Sequence, residues 1–110
     1  MISTHVLDTA LGAPVRSLTV RLEVLEASGA WRTLATAVTD DDGRVKGLAD
    51  PAPLEGRTCR LCFETGAYLA GGGRPVFFPQ VEITFVVGSE ARYHVPLLLS
   101  PFGYSTYRGS

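Results

Sequence analysis

From residue 17 to residue 26 apolar and polar side chains alternate without a break: Leu18, Val20, Leu22 and Val24 point one way, Thr19, Arg21 and Glu23 the other. A period of two with one apolar face describes a half-buried strand. Such a strand has to cover its apolar face with a second layer. The rest of the chain offers more strands for that purpose. Residues 4–8, 31–39, 45–48, 58–64, 81–87, 92–99 and 103–107 read as short strands. Within them Cys59, Leu61 and Phe63 share one face, as do Val81, Ile83, Phe85 and Val87.

Turn chemistry separates the strands. The run Leu11-Gly12-Ala13-Pro14 reads as a turn, and Ala27-Ser28-Gly29-Ala30 reverses the chain. Asp40-Asp41-Asp42-Gly43 is the sharpest hairpin signal. Pro51 and Pro53 make 50–56 a loop, because prolines one residue apart prevent ladder pairing. Residues 65–70 lack β patterning and read as one or two helical turns with Thr65 as N-cap, ended by Gly71-Gly72-Gly73. The expected architecture is all-β: about eight strands in two stacked antiparallel sheets with one short helix.

A chain of 110 residues forms one domain, 1–110, with no internal repeat or linker. Its net charge of -1 gives no global field for nucleic acid or an acidic membrane. No apolar stretch approaches the ~20 residues of a membrane span, and the first residues lack the pattern of a signal peptide. Two cysteines are too few for a disulfide scaffold, so the expected compartment is the cytoplasm.

The candidate chemistry is sparse. The only histidines, His5 and His94, each lie in an expected strand near a terminus. Strand parity sets His94 on the face of Arg92, opposite Tyr93, Val95 and Leu97, and sets His5 opposite Thr4 and Val6. Both histidines then point out of the sandwich. Such a pair is compatible with surface or structural roles and equally with acid-base work near neutral pH. Arg44, just after the acidic turn, is either a solvated side chain or a fixed guanidinium for a planar anion. Cys59 and Cys62 spell C-x-x-C, but strand parity sends them to opposite faces, roughly 10 Å apart, too far for a disulfide. Gly71-Gly72-Gly73-Arg74 lacks the spacing of a phosphate loop. No serine stands in a nucleophile-elbow context, and no metal-ligand cluster is written in the chain.

Five ordered blocks carry a family resemblance. They are Ser3-Thr4-His5-Val6-Leu7-Asp8 with Gly12 and Pro14; Thr39-Asp40 with Asp42-Gly43-Arg44; Phe63-Glu64-Thr65-Gly66; Phe78-Pro79 with Val81, Ile83, Thr84 and Phe85; and Tyr93 through Pro101, continuing to Ser110. Together they resemble the 5-hydroxyisourate hydrolases, transthyretin-related enzymes of purine breakdown, along essentially the whole chain. The C-terminal Tyr107-Arg108-Gly109-Ser110 is the mark of that family. The resemblance implies a transthyretin-like sandwich with the helix between the fifth and sixth strands. It implies a homotetramer, a dimer of dimers with sites in a channel between dimers.

It also implies hydrolysis of 5-hydroxyisourate to 2-oxo-4-hydroxy-4-carboxy-5-ureidoimidazoline without cofactor or metal. By the same resemblance His5, Arg44, His94 and Ser110 are catalytic, and His5, Arg44, Tyr107 and Arg108 bind substrate. Ser110 would act through its hydroxyl, a terminal carboxylate or both, and Gly109 would allow the approach by adopting positive φ. Arg92 and Gln80 depart from the residues common in the family, His and an acidic residue. A non-enzymatic carrier of a small apolar ligand, as transthyretin is, is the alternative, and a structural sandwich module a remoter one.

Overall fold

A computed structural model describes residues 1–110. Its strands are β1 (Ile2–Asp8), β2 (Ala13–Pro14), β3 (Thr19–Leu25), β4 (Trp31–Val38), β5 (Arg44–Ala49), β6 (Thr58–Phe63), β7 (Val81–Val86), β8 (Tyr93–His94), β9 (Leu97–Ser100) and β10 (Gly103–Thr106). A helix, α1 (Thr65–Gly71), joins β6 to β7, and one 3-10 turn covers Ala52–Leu54. Four strands make an antiparallel sheet in the order β4-β3-β6-β7. The other sheet has six strands and is centred on β1, which pairs with β2, β5, β8 and β9, while β10 closes the edge against β9.

The alternation expected for residues 17–26 is what builds the core. Val20, Leu22 and Val24 of β3 are fully buried with Cys59, Leu61 and Phe63 of β6. They face Ile2 and Val6 of β1 and Leu97 and Leu99 of β9 across the sandwich, in one cluster of 20 buried residues. Thr4 takes a core position between Ile2 and Val6, and its hydroxyl donates to the carbonyl of Val95 at 2.6 Å. That bond makes burial of the hydroxyl tolerable and ties β1 to the segment carrying His94.

Local differences from the sequence reading have physical causes. The stretch 92–99 is not one strand. Pro96 has no N–H to donate, and the ladder breaks there into β8 and β9. Both pair with β1 in parallel, so the sandwich is antiparallel except along this seam. Ala13 and Pro14, expected in a turn, pair with Asp8 and Leu7 as β2. Thr65 does not cap α1. Glu64 occupies the N-cap position without a side-chain bond, and the Thr65 hydroxyl donates to the carbonyl of Phe78 at 2.7 Å.

Cys62 does point away from the core side, but it is buried all the same. Its thiol donates to Glu23 Oε1 at 3.1 Å, beside the guanidinium of Arg60 on the same oxygen at 2.6 Å. Burial first, and then Glu23, push the thiol up to about 11. Cys59 and Cys62 are both free. No helix is long and apolar enough to cross a membrane.

One buried ion pair anchors α1 to the central strand. Asp8 is fully buried and accepts from the Tyr68 hydroxyl at 2.7 Å and from the guanidinium of Arg74. Its other oxygen accepts the amides of Ala10 and Leu11, both at 3.0 Å. Burial pushes the carboxyl up, but Arg74, Tyr68 and the Leu11 amide outweigh it and hold it below the ordinary 3.8. The carboxylate stays charged because it is fully coordinated.

Candidate active site

The outer face of the six-stranded sheet collects the candidate chemistry by register alone. On β1, Ser3 and His5 alternate with the core residues Ile2, Thr4 and Val6 and so point outward. Antiparallel pairing sets His5 directly opposite Arg44, the first residue of β5. Parallel pairing sets Ser3 beside His94 on β8. His5, Arg44 and His94, distant in sequence, thus stand on three adjacent strands.

The acidic turn fixes Arg44. Asp40 Oδ1 accepts the amides of Asp42 and Arg44, each at 2.9 Å, and the carbonyl of Asp40 accepts the amide of Gly43 at 2.9 Å. Gly43 has φ of 76°, and a Cβ there would lie 2.5 Å from the carbonyl oxygen of Val6. Only glycine lets this turn lie flat on β1. The turn in turn holds a histidine: His5 Nε2–H donates to the carbonyl of Asp42 at 2.8 Å. Since a carbonyl only accepts, the proton of neutral His5 is on Nε2.

His94 is held from two sides. Its Nδ1 lies 2.8 Å from the hydroxyl of Ser3. Its carbonyl accepts the amide of Gly109 at 2.8 Å, and the two residues form an isolated antiparallel bridge. The chain end is therefore ordered against the site. The expectation of positive φ at Gly109 is not what the structure shows, because the positive-φ glycines lie elsewhere. The reason for glycine is space: a Cβ would stand 2.5 Å from His94 Cδ2. Burial first, then the charge of Arg44 and then that of His5, lower the His94 pKa below the ordinary imidazole value of 6.5. The shift favours the neutral ring.

An open cavity of about 900 Å³ spreads over this face, with His94, Gly109 and Ser110 in its wall. Four cations, Arg44, Lys46, Arg92 and Arg108, also line it against a single acidic side chain, Glu90. None of the four is engaged in an ion pair. A side recess of about 280 Å³ runs between Asp42, Arg44 and His94. Unpaired cations around a concave surface favour an anionic, oxygen-rich ligand. Nowhere do three or more His, Cys, Asp or Glu side chains converge as a metal cluster.

The structure does not gather every expected residue equally. Arg44, His94, Arg108 and Ser110 line the cavity, while His5 stands behind Arg44 with its Nε2 tied to the turn. Arg108 stacks over the ring of Tyr93 at 5.0 Å, which steadies its guanidinium at the cavity. Tyr107 is not in the cavity wall but lines an adjoining apolar recess of about 240 Å³ with Phe85 and Val86, which shares His94 and Arg108 with the cavity. Sequence reasoning missed Ser3 and Lys46. Both were within reach of the period-two rule, since Ser3 lies two residues before His5 and Lys46 two after Arg44, each on its partner's face.

The family model described as HIUase/Transthyretin family matches residues 2–109. A mouse protein named 5-hydroxyisourate hydrolase is 46% identical over 99% of this chain and 94% of its own length. The solved structure of Klebsiella pneumoniae 5-hydroxyisourate hydrolase superposes with a TM-score of 0.85 at 41% identity, covering 99% of this chain and 98% of that one. Sea bream transthyretin in complex with thyroxine superposes with a TM-score of 0.91 at 31% identity, covering 98% and 93%.

Proposed function

The chain belongs to the HIUase/Transthyretin family, and we propose that its site hydrolyses 5-hydroxyisourate by water attack assisted by His94 and Arg44. The protein is an enzyme of the hydroxyisourate hydrolase type, opening the cyclic amide in urate degradation. The reaction adds water across a ring amide: the water oxygen bonds to the carbonyl carbon, the C–N bond breaks, the nitrogen takes one proton, and the other leaves to solvent as the carbon side becomes a carboxylate. The observation that carries this reading is the partly buried His94, held by Ser3 and lowered in pKa by burial and Arg44, in the wall of the same cationic cavity as unpaired Arg44. A neutral imidazole can take the proton of an attacking water as charge develops on the carbonyl oxygen. In this reading Arg44, whose backbone amide the turn holds and whose side chain lines the cavity, stabilises that oxygen and holds the substrate's anionic edge.

His5, paired with Arg44 across β1 and β5 and tied through Nε2 to the turn, supports the geometry of Arg44. Arg108 and Ser110 complete the cavity wall, with Ser110 contributing polar atoms to substrate or water. Tyr107 lines the adjoining recess beside His94 and Arg108, where it would contact substrate from the edge of the cavity. A carrier of an apolar ligand fits poorly, because only Met1 among the ten lining residues is hydrophobic.

The assembly belongs to the same proposal. A homotetramer, a dimer of dimers, would close the open basin with a facing copy, and sedimentation at micromolar concentration tests it: a pure monomer would overturn the closed-site picture. Two free buried thiols suit the cytoplasm as the compartment. For the chemistry, His94→Ala and Arg44→Ala should each lower kcat on the order of 10²–10⁴. Wild-type turnover in either variant would refute the assignment.

A further inference from the structure

We infer that Ser3 is a positioning residue that selects the tautomer of His94, with Nδ1–H donating to the Ser3 oxygen so that the Nε2 lone pair faces the cavity. Ser3 Oγ lies 2.8 Å from His94 Nδ1 and is the only hydrogen-bond partner of that ring. The neighbouring backbone leaves little freedom for this pair. Val95 N–H donates to the Ser3 carbonyl at 3.0 Å, Tyr93 N–H to the Met1 carbonyl at 3.1 Å, and the Thr4 hydroxyl to the Val95 carbonyl at 2.6 Å. On the ring's opposite edge Gly109 packs against Cδ2. The ring is thus clamped along Nδ1 and Cδ2, and Nε2 has no protein partner.

A serine hydroxyl can donate or accept, so distance alone does not choose the tautomer. Electrostatics does. Arg44, Lys46, Arg92 and Arg108 line the cavity that His94 enters. A neutral imidazole carries its positive end at the N–H and its negative end at the bare nitrogen. Turning the N–H toward Ser3 and the lone pair toward the cations is the favourable orientation. In water the Nε2–H form is the more populated tautomer, and it cannot take a proton at Nε2. The hydrogen bond to Ser3 therefore fixes the state a base requires, as the partner on one ring nitrogen commonly fixes the other.

The kinetic side of this role rests on the proposed hydrolysis, in which His94 takes a proton from water. The tautomer itself does not, and the test separates the two. Nitrogen-15 NMR of the imidazole in the full chain at neutral pH, without substrate, should show His94 with a protonated Nδ1 and a bare Nε2. In Ser3→Ala the signal should move to the Nε2–H form, and in Ser3→Thr, which keeps the hydroxyl, it should return. With 5-hydroxyisourate, Ser3→Ala should lose about ten- to hundredfold in kcat with KM within about twofold, and Ser3→Thr should recover most of it. An Nε2–H wild-type ring, or a ring unchanged by Ser3→Ala, overturns the role of Ser3. Absence of turnover in a wild-type protein whose tautomer is as described would instead overturn the proposed reaction.

Discussion

Gly109→Ala perturbs the site with a single methyl group. The added Cβ would lie 2.5 Å from His94 Cδ2, 3.2 Å from Cγ and 3.3 Å from Cβ. Carbon atoms rest at about 3.5–4.0 Å, so the closest pair overlaps by roughly 1 Å. The backbone of β8 cannot yield, because it is paired to β1. Either the ring turns off Ser3 or the chain end lifts away and gives up the Gly109–His94 hydrogen bond. The stability cost of the second route is one partly exposed bond, about 0.5–1.5 kcal/mol, or a Tm lower by roughly 3–8 °C. The catalytic cost is larger, since a shift of about 1 Å in a catalytic group lowers turnover on the order of 10²-fold. Gly103→Ala is the control. Its Cβ would meet nothing nearer than Ser100 Oγ at 3.7 Å, an ordinary contact on the same terminal segment. Ultraviolet decay of 5-hydroxyisourate should show Gly109→Ala crippled and Gly103→Ala within about twofold of wild type. Equal turnover in the two variants would refute the claim that the chain end positions His94.

Other outcomes follow from the same geometry. Because the His94 pKa lies below 6.5, kcat should be flat through neutral pH and fall on the acid side at a midpoint below 6.5; a midpoint above it would contradict the buried, cation-flanked ring. The sign for stability agrees, since unfolded His94 binds its proton more readily and this contribution is present above 6.5 and lost as pH falls through the folded value. Lys46→Ser and Arg92→Ser should lower kcat/KM and flatten its dependence on salt, because both cations face the cavity unpaired; an unchanged salt slope in the double variant would contradict electrostatic capture. Arg74→Met should destabilise on the order of 3 kcal/mol by leaving Asp8 buried without its cation. That loss appears as a Tm lower by about 10 °C or more, with kcat unaltered in the folded protein, and a melt shifted by only a degree or two would show that Tyr68 and the loop amides suffice.

What could be read from the residues alone divides along a physical line. Period-two alternation is local, so β3, β6 and β7 and their buried faces were legible, as was the Asp40–Gly43 turn. So were the outward faces of His5 and His94. Pairing between distant strands is not local. That Ser3 meets His94, 91 positions away, or that His5 meets Arg44, depends on how β1 is sandwiched between β5 and β8, and no spacing in the chain encodes it. Pro96 was visible, and its missing N–H was enough to anticipate a break in 92–99. Thr65 carried the signature of a cap, but the carbonyl of Phe78, brought near by the fold, took its hydroxyl instead. Parity alone placed Cys62 away from the core; the Glu23–Arg60 pair that buries it lies across strands. Gly109 was singled out for the wrong freedom, since backbone angle was legible as a possibility and the ring of His94 was not.

The most direct test is the ultraviolet decay of freshly prepared 5-hydroxyisourate at neutral pH, recorded with and without the purified protein. The rate should rise in proportion to protein concentration above the spontaneous decay. An identical decay with and without protein would contradict the assignment of this site to ring hydrolysis.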